Sequence, residues 1–253
     1  MKVTLLQTDI QWAQPESNMC QAEQLMDANP NSDLYVLPEM WSTGFGSNPT
    51  GIGLDEDNDP ARSWMVVQAH TRMKAICGSV PILMPDGSYR NRHYFIDPLS
   101  PHVHYYDKHH LFTYGHEDRY FTPGQTHCLF EYLGVRFLLL TCYDLRFPCW
   151  SRYSDRLDYD VIIVVANWPS SRQSAWRILT RARAVENQCY LIGVNRVGDD
   201  QYCHYAGSSV VCHPYGHAIA QCHRDVVEAR TVNLDMTELR RIRQKFRVLD
   251  DRD

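Results

Sequence analysis

The sequence predicts an α/β fold in which two β-sheets are covered by helices. Three observations carry that prediction. A β-α-β unit opens the chain, and such units place parallel neighbours in a sheet. The middle of the chain changes to short strands separated by turn residues, the pattern of hairpins. No linker, internal repeat or low-complexity tract interrupts the 253 residues, so residues 1–253 are read as one domain with room for a full core.

The elements follow in order. Val3–Asp9 alternates and reads as a strand. Pro15, Glu16 and Ser17 open a helix to about Ala28, with Met19, Ala22, Leu25 and Met26 on one face. Asn29-Pro30-Asn31 ends it, and Leu34–Leu37 is a short buried strand closed by Pro38. After the acidic, glycine-containing loop Ser42–Asp59 come a helix over Pro60–Lys74 and a strand over Ala75–Val80. Arg92–Asp97, Val103–Tyr106 and Cys128–Tyr132 read as hairpin strands. The polar segment Asp107–Gln125 is too long for a plain turn, and loops of that length are usually functional. Val135–Leu140 is a buried strand, Arg146–Arg156 a helix, and Val161–Ala166 another buried strand. Ser174–Asn187 is the clearest helix, with Ala175, Ile178, Leu179, Ala182 and Val185 on one face. Tyr190–Asn195 is a strand, Ser208–Cys212 and Ala218–Cys222 a hairpin across His213–Gly216, and Val226–Val232 a last strand. Asp235–Phe246 is a basic terminal helix.

Composition narrows the function. Apolar residues make up 44% of the chain and the net charge is −5, which gives no electrostatic case for nucleic acid as a partner. The apolar runs are of strand length, so no membrane span is expected. Met1-Lys2-Val3 leads at once into a strand, so no secretory leader is expected either. Nine cysteines, an odd number without a C-x-x-C pair, fit reduced thiols in a cytoplasm.

Three strand ends carry candidate chemistry. Glu39 follows the second strand, Lys108 a hairpin strand, and Cys142 the apolar run Val135–Leu140. Open α/β folds gather such ends into sites. A thiol needs a base, and a carboxylate in a dry pocket can serve. An ammonium stabilises the oxyanion formed when a carbonyl is attacked. A helix opening after Cys142 would lower the thiol pKa. Together the three types describe acyl transfer through a thioester. Each alone has a plainer account: a loop carboxylate, a solvated turn lysine, a small buried thiol. Spacing alone leaves those plainer accounts ahead.

The motifs around these residues change the balance. They read Leu37-Pro38-Glu39-Met40-Trp41, Tyr106-Asp107-Lys108-His109-His110-Leu111-Phe112 and Cys142-Tyr143-Asp144-Leu145-Arg146-Phe147-Pro148. Asn167-Trp168-Pro169, Arg181–Asn187 and Gly193–Gly198 stand in the matching order. The chain resembles the nitrilase, or carbon–nitrogen hydrolase, superfamily over nearly its full length.

The resemblance implies a four-layer α-β-β-α sandwich, assembled as a homodimer or higher homo-oligomer, with no cofactor and no metal. It implies a triad of Glu39 as general base and acid, Lys108 at the oxyanion and Cys142 as nucleophile. Glu117 would be a second, orienting glutamate, unless it is only a surface acid beside Asp118 and Arg119. The substrate is a small amide, and the details resemble the omega-amidase branch, which acts on 2-oxoglutaramate and 2-oxosuccinamate. Another amidase or N-carbamoyl-amide hydrolase of the superfamily is the enzymatic alternative. Around the triad, the backbone N–H of Tyr143 is placed for the oxyanion. Arg172 is a candidate for the substrate carboxylate, and Trp168 and Phe45 for the pocket wall. Asp144 and Arg146 read as a helix-start acid and its local ion-pair partner. The tail departs from the family in carrying Arg247 where a proline is common, and His109-His110 and the Tyr114 loop are individual.

Two other readings are weaker. Cys203-His204, Cys212-His213 and Cys222-His223 are adjacent pairs, whereas zinc ligands are typically about two to five positions apart. His102 and His104 share a strand face but lack a third ligand. A non-enzymatic binding or redox-sensing thiol protein leaves Glu39 and Lys108 without a purpose.

Overall fold

The computed structural model describes residues 1–46 and 48–252. The first half runs β1 (Lys2–Gln7), α1 (Pro15–Asp27), β2 (Leu34–Val36), β3 (Leu54–Asp55), α2 (Pro60–Arg72), β4 (Ala75–Leu83), β5 (Tyr89–Ile96) and β6 (His104–Asp107). The second half runs β7 (Leu129–Tyr132), β8 (Val135–Thr141), β9 (Val161–Ala166), α3 (Gln173–Glu186), β10 (Tyr190–Asn195), β11 (Val197–Asp199), β12 (His204–Ala206), β13 (Val210–Cys212), β14 (Ala218–Gln221), β15 (Glu228–Asn233) and α4 (Met236–Lys245). Among the described residues no helix is long and apolar enough to cross a membrane.

Two sheets form. One has the order β15-β1-β2-β4-β5-β6, with β3 beside β4; the other has the order β14-β13-β10-β9-β8-β7. β1, β2 and β4 are parallel, as are β8, β9 and β10, because helices or long segments connect them. The hairpin strands add antiparallel edges.

Alternation along the strands sorts the side chains into layers. Val161, Ile163 and Val165 of β9 join Val3, Leu5 and Phe95 in a core between the sheets. Ile162, Val164 and Ala166 point the other way, into a core with Trp176 and Ala184 of α3. On the far side, Leu6, Tyr35 and Ile76 pack on Ala22 and Met26 of α1 and on Met65 and Ala69 of α2. The layers are therefore helices, sheet, sheet, helix: the four-layer sandwich. A strand buried on both faces reads as one unbroken apolar run, which is why β8 and β9 stand out in the sequence. Each buried aliphatic side chain contributes about 1.5–3 kcal/mol.

Three local expectations are corrected. Residues 146–156 are not an α-helix. Two 3₁₀ turns, Cys142–Arg146 and Pro148–Ser151, stand there instead. Pro148 pushes Phe147 out of the helical region, to φ −111° and ψ 91°, and separates them. The apolar face of α3 is also turned. Its buried positions are Trp176, Thr180, Arg183 and Ala184, while Ile178 is 63% and Val185 47% exposed. The Trp176 ring decides the rotation, because it fills the gap left by Gly193, where a Cβ would stand 2.9 Å from the ring. Finally, the long loops are not bare: β3 lies within 42–59, and 3₁₀ turns Thr113–Gly115 and Glu117–Arg119 lie within 107–125.

His93 of β5 is fully buried next to the second sheet. Its ring meets the Leu140 carbonyl through Nδ1 at 3.2 Å and the Cys77 thiol through Nε2 at 2.9 Å. A carbonyl only accepts, so Nδ1 carries the proton. Burial pushes this imidazole down to about 3 from an ordinary 6.5, against the Leu140 hydrogen bond. The folded pKa is depressed, so this contribution is fully present above 6.5 and is lost as pH falls toward about 3. The unfolded chain binds one more proton there, at about 1.4 kcal/mol per pH unit. Urea unfolding between pH 7 and pH 4 should therefore show a shallower pH slope for His93→Gln, by about one proton. An unchanged slope would show that His93 is not the buried neutral base described here.

Candidate active site

Three chain reversals bring the chemistry together. Glu39 lies three residues after β2, in a turn where the Met40 amide donates to Ser79 Oγ at 2.9 Å. Lys108 directly follows β6, and its backbone N–H donates to the Asn91 carbonyl of β5 at 3.0 Å. Cys142 directly follows β8 and opens the Cys142–Arg146 turn in the left-handed region, at φ 44°. That conformation is unfavourable for a side chain with a Cβ, and it is held by the turn that follows.

Asp144 supplies much of the hold. Its Oδ2 accepts from the Thr141 amide at 3.0 Å and from the Tyr106 hydroxyl at 2.8 Å. Its Oδ1 accepts from the His110 amide and faces His110 Nδ1, both at 2.8 Å. The carboxylate thus ties the residues around Lys108 to the turn at Cys142. Gly124 backs the same segment: a Cβ there would meet the Asp107 carbonyl oxygen at 2.1 Å, so only glycine fits. The expected ion pair between Asp144 and Arg146 does not form. Arg146 instead lies over the Trp168 ring, 4.9 Å from its centroid.

The side chains converge without exposure. Lys108 Nζ donates to Glu39 Oε1 at 2.9 Å and to Glu117 Oε1 and Oε2 at 3.1 and 2.9 Å. Asn91 Nδ2 donates to Glu39 Oε1 at 2.8 Å and Glu117 Oε1 at 3.2 Å. Glu39 Oε2 accepts from the Asn167 amide at 2.8 Å, and Glu117 Oε2 from the Phe112 amide at 2.6 Å. Both carboxylates and the ammonium are fully buried. Glu117 is therefore no surface acid: the 3₁₀ turn carries it inward, away from Asp118 and Arg119.

Charge follows from this packing. Burial disfavours the Lys108 cation, but Glu117 and Glu39 outweigh it and hold the ammonium above its ordinary pKa. Burial pushes Glu117 up, against the pull of Lys108. Burial and then the Glu39 carboxylate push the Cys142 thiol up, so it rests protonated. The expectation of a thiol lowered by a helix N-terminus is corrected: only a five-residue 3₁₀ turn follows Cys142, and its effect is small beside desolvation.

Glu39, Lys108 and Cys142 form the floor of a cavity of about 720 Å³. Phe45 lies on its wall, 5.4 Å from Lys108 Nζ. Tyr143 lines it and stacks edge-on against Phe112. Trp168 is both wall and core, packing on Trp176 and donating Nε1 to the Arg172 carbonyl at 2.9 Å. Arg172 lines the cavity with its guanidinium over the Phe112 and Tyr114 rings. All eight residues singled out in the sequence are thus gathered here, with Glu117 behind the floor. The sequence reading missed Asn91, because it began that strand one residue later, at Arg92. It also missed the clamp role of Asp144. Alternation along β5 was the available signal, since Asn91 and His93 share a face.

The chain is similar to known proteins over its whole length. The carbon-nitrogen hydrolase family model matches residues 2–244. The chain is 38% identical to omega-amidase YafV of Escherichia coli K12, over 100% of this chain and 97% of that protein. It is 32% identical to the 2-oxoglutaramate amidase of Bacillus subtilis, over 98% and 96% of the two chains. Among solved structures, XC1258 of Xanthomonas campestris, a CN-hydrolase superfamily protein with an arsenic adduct in its active site, superposes with a TM-score of 0.95. It is 34% identical, over 100% of this chain and 97% of that one. Saccharomyces cerevisiae Nit3 shares the fold, with a TM-score of 0.86 at 24% identity, over 97% and 94%. The sandwich, the buried carboxylate–ammonium cluster and the full-length match lead to one conclusion: this chain belongs to the carbon–nitrogen hydrolase family.

Proposed function

We propose that the protein is an omega-amidase, hydrolysing the terminal amide of a small carboxylate-bearing substrate such as 2-oxoglutaramate or 2-oxosuccinamate. Family membership makes it a thiol-dependent hydrolase of carbon–nitrogen bonds other than peptide bonds. The observation that carries the roles is the contiguous buried contact of Glu39, Lys108 and Glu117 beside the Cys142 thiol.

The mechanism follows from that contact. Cys142 rests as a thiol, so its proton passes to Glu39 as sulfur attacks the amide carbon. The carbonyl oxygen becomes an oxyanion, held by Lys108 Nζ and the Tyr143 backbone N–H. The latter is near the start of a 3₁₀ turn, where amides lack partners within the turn. Collapse breaks the C–N bond, and the leaving nitrogen takes the proton from Glu39 and departs as ammonia. Glu39 then takes a proton from water, whose oxygen attacks the thioester. The C–S bond breaks, the free acid forms, and the proton returns to Cys142. Glu117 stays bound to Lys108 throughout and orients it.

Substrate choice rests on the cavity wall. Arg146 and Arg172 both line it, each lying over aromatic rings, and among the described residues neither is in an ion pair within 4.0 Å. With Arg119 the wall carries three arginines against one acid, Asp200, and that balance favours an amide whose far end is anionic. The names of the Escherichia coli and Bacillus subtilis relatives point the same way. An N-carbamoyl amino acid is the rival substrate, since it carries the same charge. The outward apolar stripe of α3, Ile178 and Val185, further supports a homodimer through that helix.

Wild-type protein should release ammonia from 2-oxoglutaramate faster than from an N-carbamoyl amino acid or a simple nitrile. Cys142→Ala should lose at least on the order of a thousandfold in rate with its melting temperature kept. Full activity in that variant would end the mechanism, and preference for the carbamoyl compound would move the substrate. Arg172→Ala should lower kcat/KM about 10- to 150-fold for the anionic amide, the loss of about 1.5–3 kcal/mol of charged hydrogen bonding. It should leave a neutral amide of similar length unaffected; equal losses for both would assign Arg172 to packing. Sedimentation should give twice the 29.5 kDa of the chain. A monomer at micromolar concentration would remove the dimer.

A further inference from the structure

Asn91 touches neither the cavity nor the thiol, yet it is the residue on which the two carboxylates meet. Its side chain is fully buried. Its Nδ2 has two hydrogens and two acceptors, Glu39 Oε1 at 2.8 Å and Glu117 Oε1 at 3.2 Å. Lys108 Nζ reaches the same two oxygens at 2.9 and 3.1 Å. Two donors and two acceptors form a closed four-membered set, each donor bonded to each acceptor. The other end of the amide is informative too: Oδ1 is buried with no hydrogen-bond partner. The amide is therefore held by its nitrogen end alone. Rotated by half a turn, it would press an acceptor against two acceptors.

The charges around this set come from four elements. Glu39 is faced by Lys108 from the end of β6, by Glu117 from the Glu117–Arg119 turn and by Cys142 from the end of β8. The Asn167 amide also donates to Glu39 and the Phe112 amide to Glu117, and Arg119, Arg146, Arg172 and Asp200 stand in the cavity wall beyond. Two carboxylates against one ammonium leave one uncompensated negative charge in a buried site. Carboxylates this close ordinarily lower that charge by sharing a proton between facing oxygens. Here the facing oxygens are already occupied by N–H donors.

We propose that Asn91 is a positioning residue that keeps Glu39 and Glu117 both ionised at rest, by filling the edge on which they would otherwise share a proton. Glu39 then meets Cys142 as a free base. The inference rests on the proposed role of Glu39 as that base. It gives the buried amide a function distinct from packing: it sets the pH at which the pair takes up a proton.

The test uses Asn91→Leu, which is near in size and removes the donors without adding charge, with the single-donor Asn91→Ser and the charge-adding Asn91→Asp beside it. Removing the donors disfavours the ionised pair, so the pair takes up a proton at higher pH. The acid limb of kcat/KM for 2-oxoglutaramate should move upward by about one unit or more in Asp and Leu, and by less in Ser, with KM within about twofold. The second readout needs no substrate: the rate of Cys142 alkylation by iodoacetamide against pH should show the same displacement. Melting temperatures identify any variant that does not fold, and the remaining variants decide. An acid limb that stays in place in both assays, with activity lowered equally at every pH, would overturn the proposal and leave Asn91 a packing residue. If wild-type protein releases no ammonia while the alkylation limb still moves, the amidase reading fails and the role of Asn91 stands.

Discussion

A lysine ammonium with no exposed surface sits between two carboxylates that are equally buried, and much of the molecule exists to make that contact tolerable. Taking three charges out of water costs several kcal/mol each unless every partner is in place. Here the partners come from distant parts of the chain. Glu39 and Lys108 are 69 positions apart, and Glu39 and Asn167 are 128 apart. Removing Lys108 would leave two buried carboxylates with no cation between them. The cluster is thus as much a constraint on the fold as a product of it.

The two sheets meet that constraint by presenting their strand ends to the same place. Glu39 and Lys108 come from the first sheet, Cys142 and Asn167 from the second. The apolar core between the sheets sets their separation, and side-chain clamps set the register. Asp144 ties the Lys108 segment to the Cys142 turn. Asn195 does the same on the other side, accepting from the Trp168 amide at 2.7 Å and donating Nδ2 to the Trp168 carbonyl at 3.0 Å. Arg183 of α3 donates to the Leu145 carbonyl at 2.8 Å and holds the end of the nucleophile turn. A left-handed Cys142 persists because these contacts over-determine it.

Above this rigid floor, the cavity wall is built differently. Two of its cations lie on aromatic rings: Arg146 over Trp168, and Arg172 over Phe112 and Tyr114. Cation–π contacts of this kind contribute about 0.5–1 kcal/mol at exposed sites, less than a charged hydrogen bond to a carboxylate. An arginine held this way is ordered yet available to an anion. The floor is fixed by buried ion pairs, whereas the wall is held by weaker ring contacts.

Local physics let the sequence alone determine a good deal. The length of the apolar runs marks β8, β9 and β10, because a strand buried on both faces cannot afford polar positions. Proline and asparagine mark where α1 ends and where β2 closes. The motifs around Glu39, Lys108 and Cys142 mark the candidate groups, because each depends on residues within a few positions. The tertiary structure decided what local pattern does not encode. It turned α3 so that Trp176 fills the gap at Gly193, leaving the apolar stripe outside. It replaced a helix after Cys142 with two 3₁₀ turns at Pro148. It carried Glu117 from an acidic surface segment into the core, and set Asn91 between two carboxylates. These outcomes depend on which strands pair and on which surfaces compete for burial, and both are settled only when the two sheets close on one another.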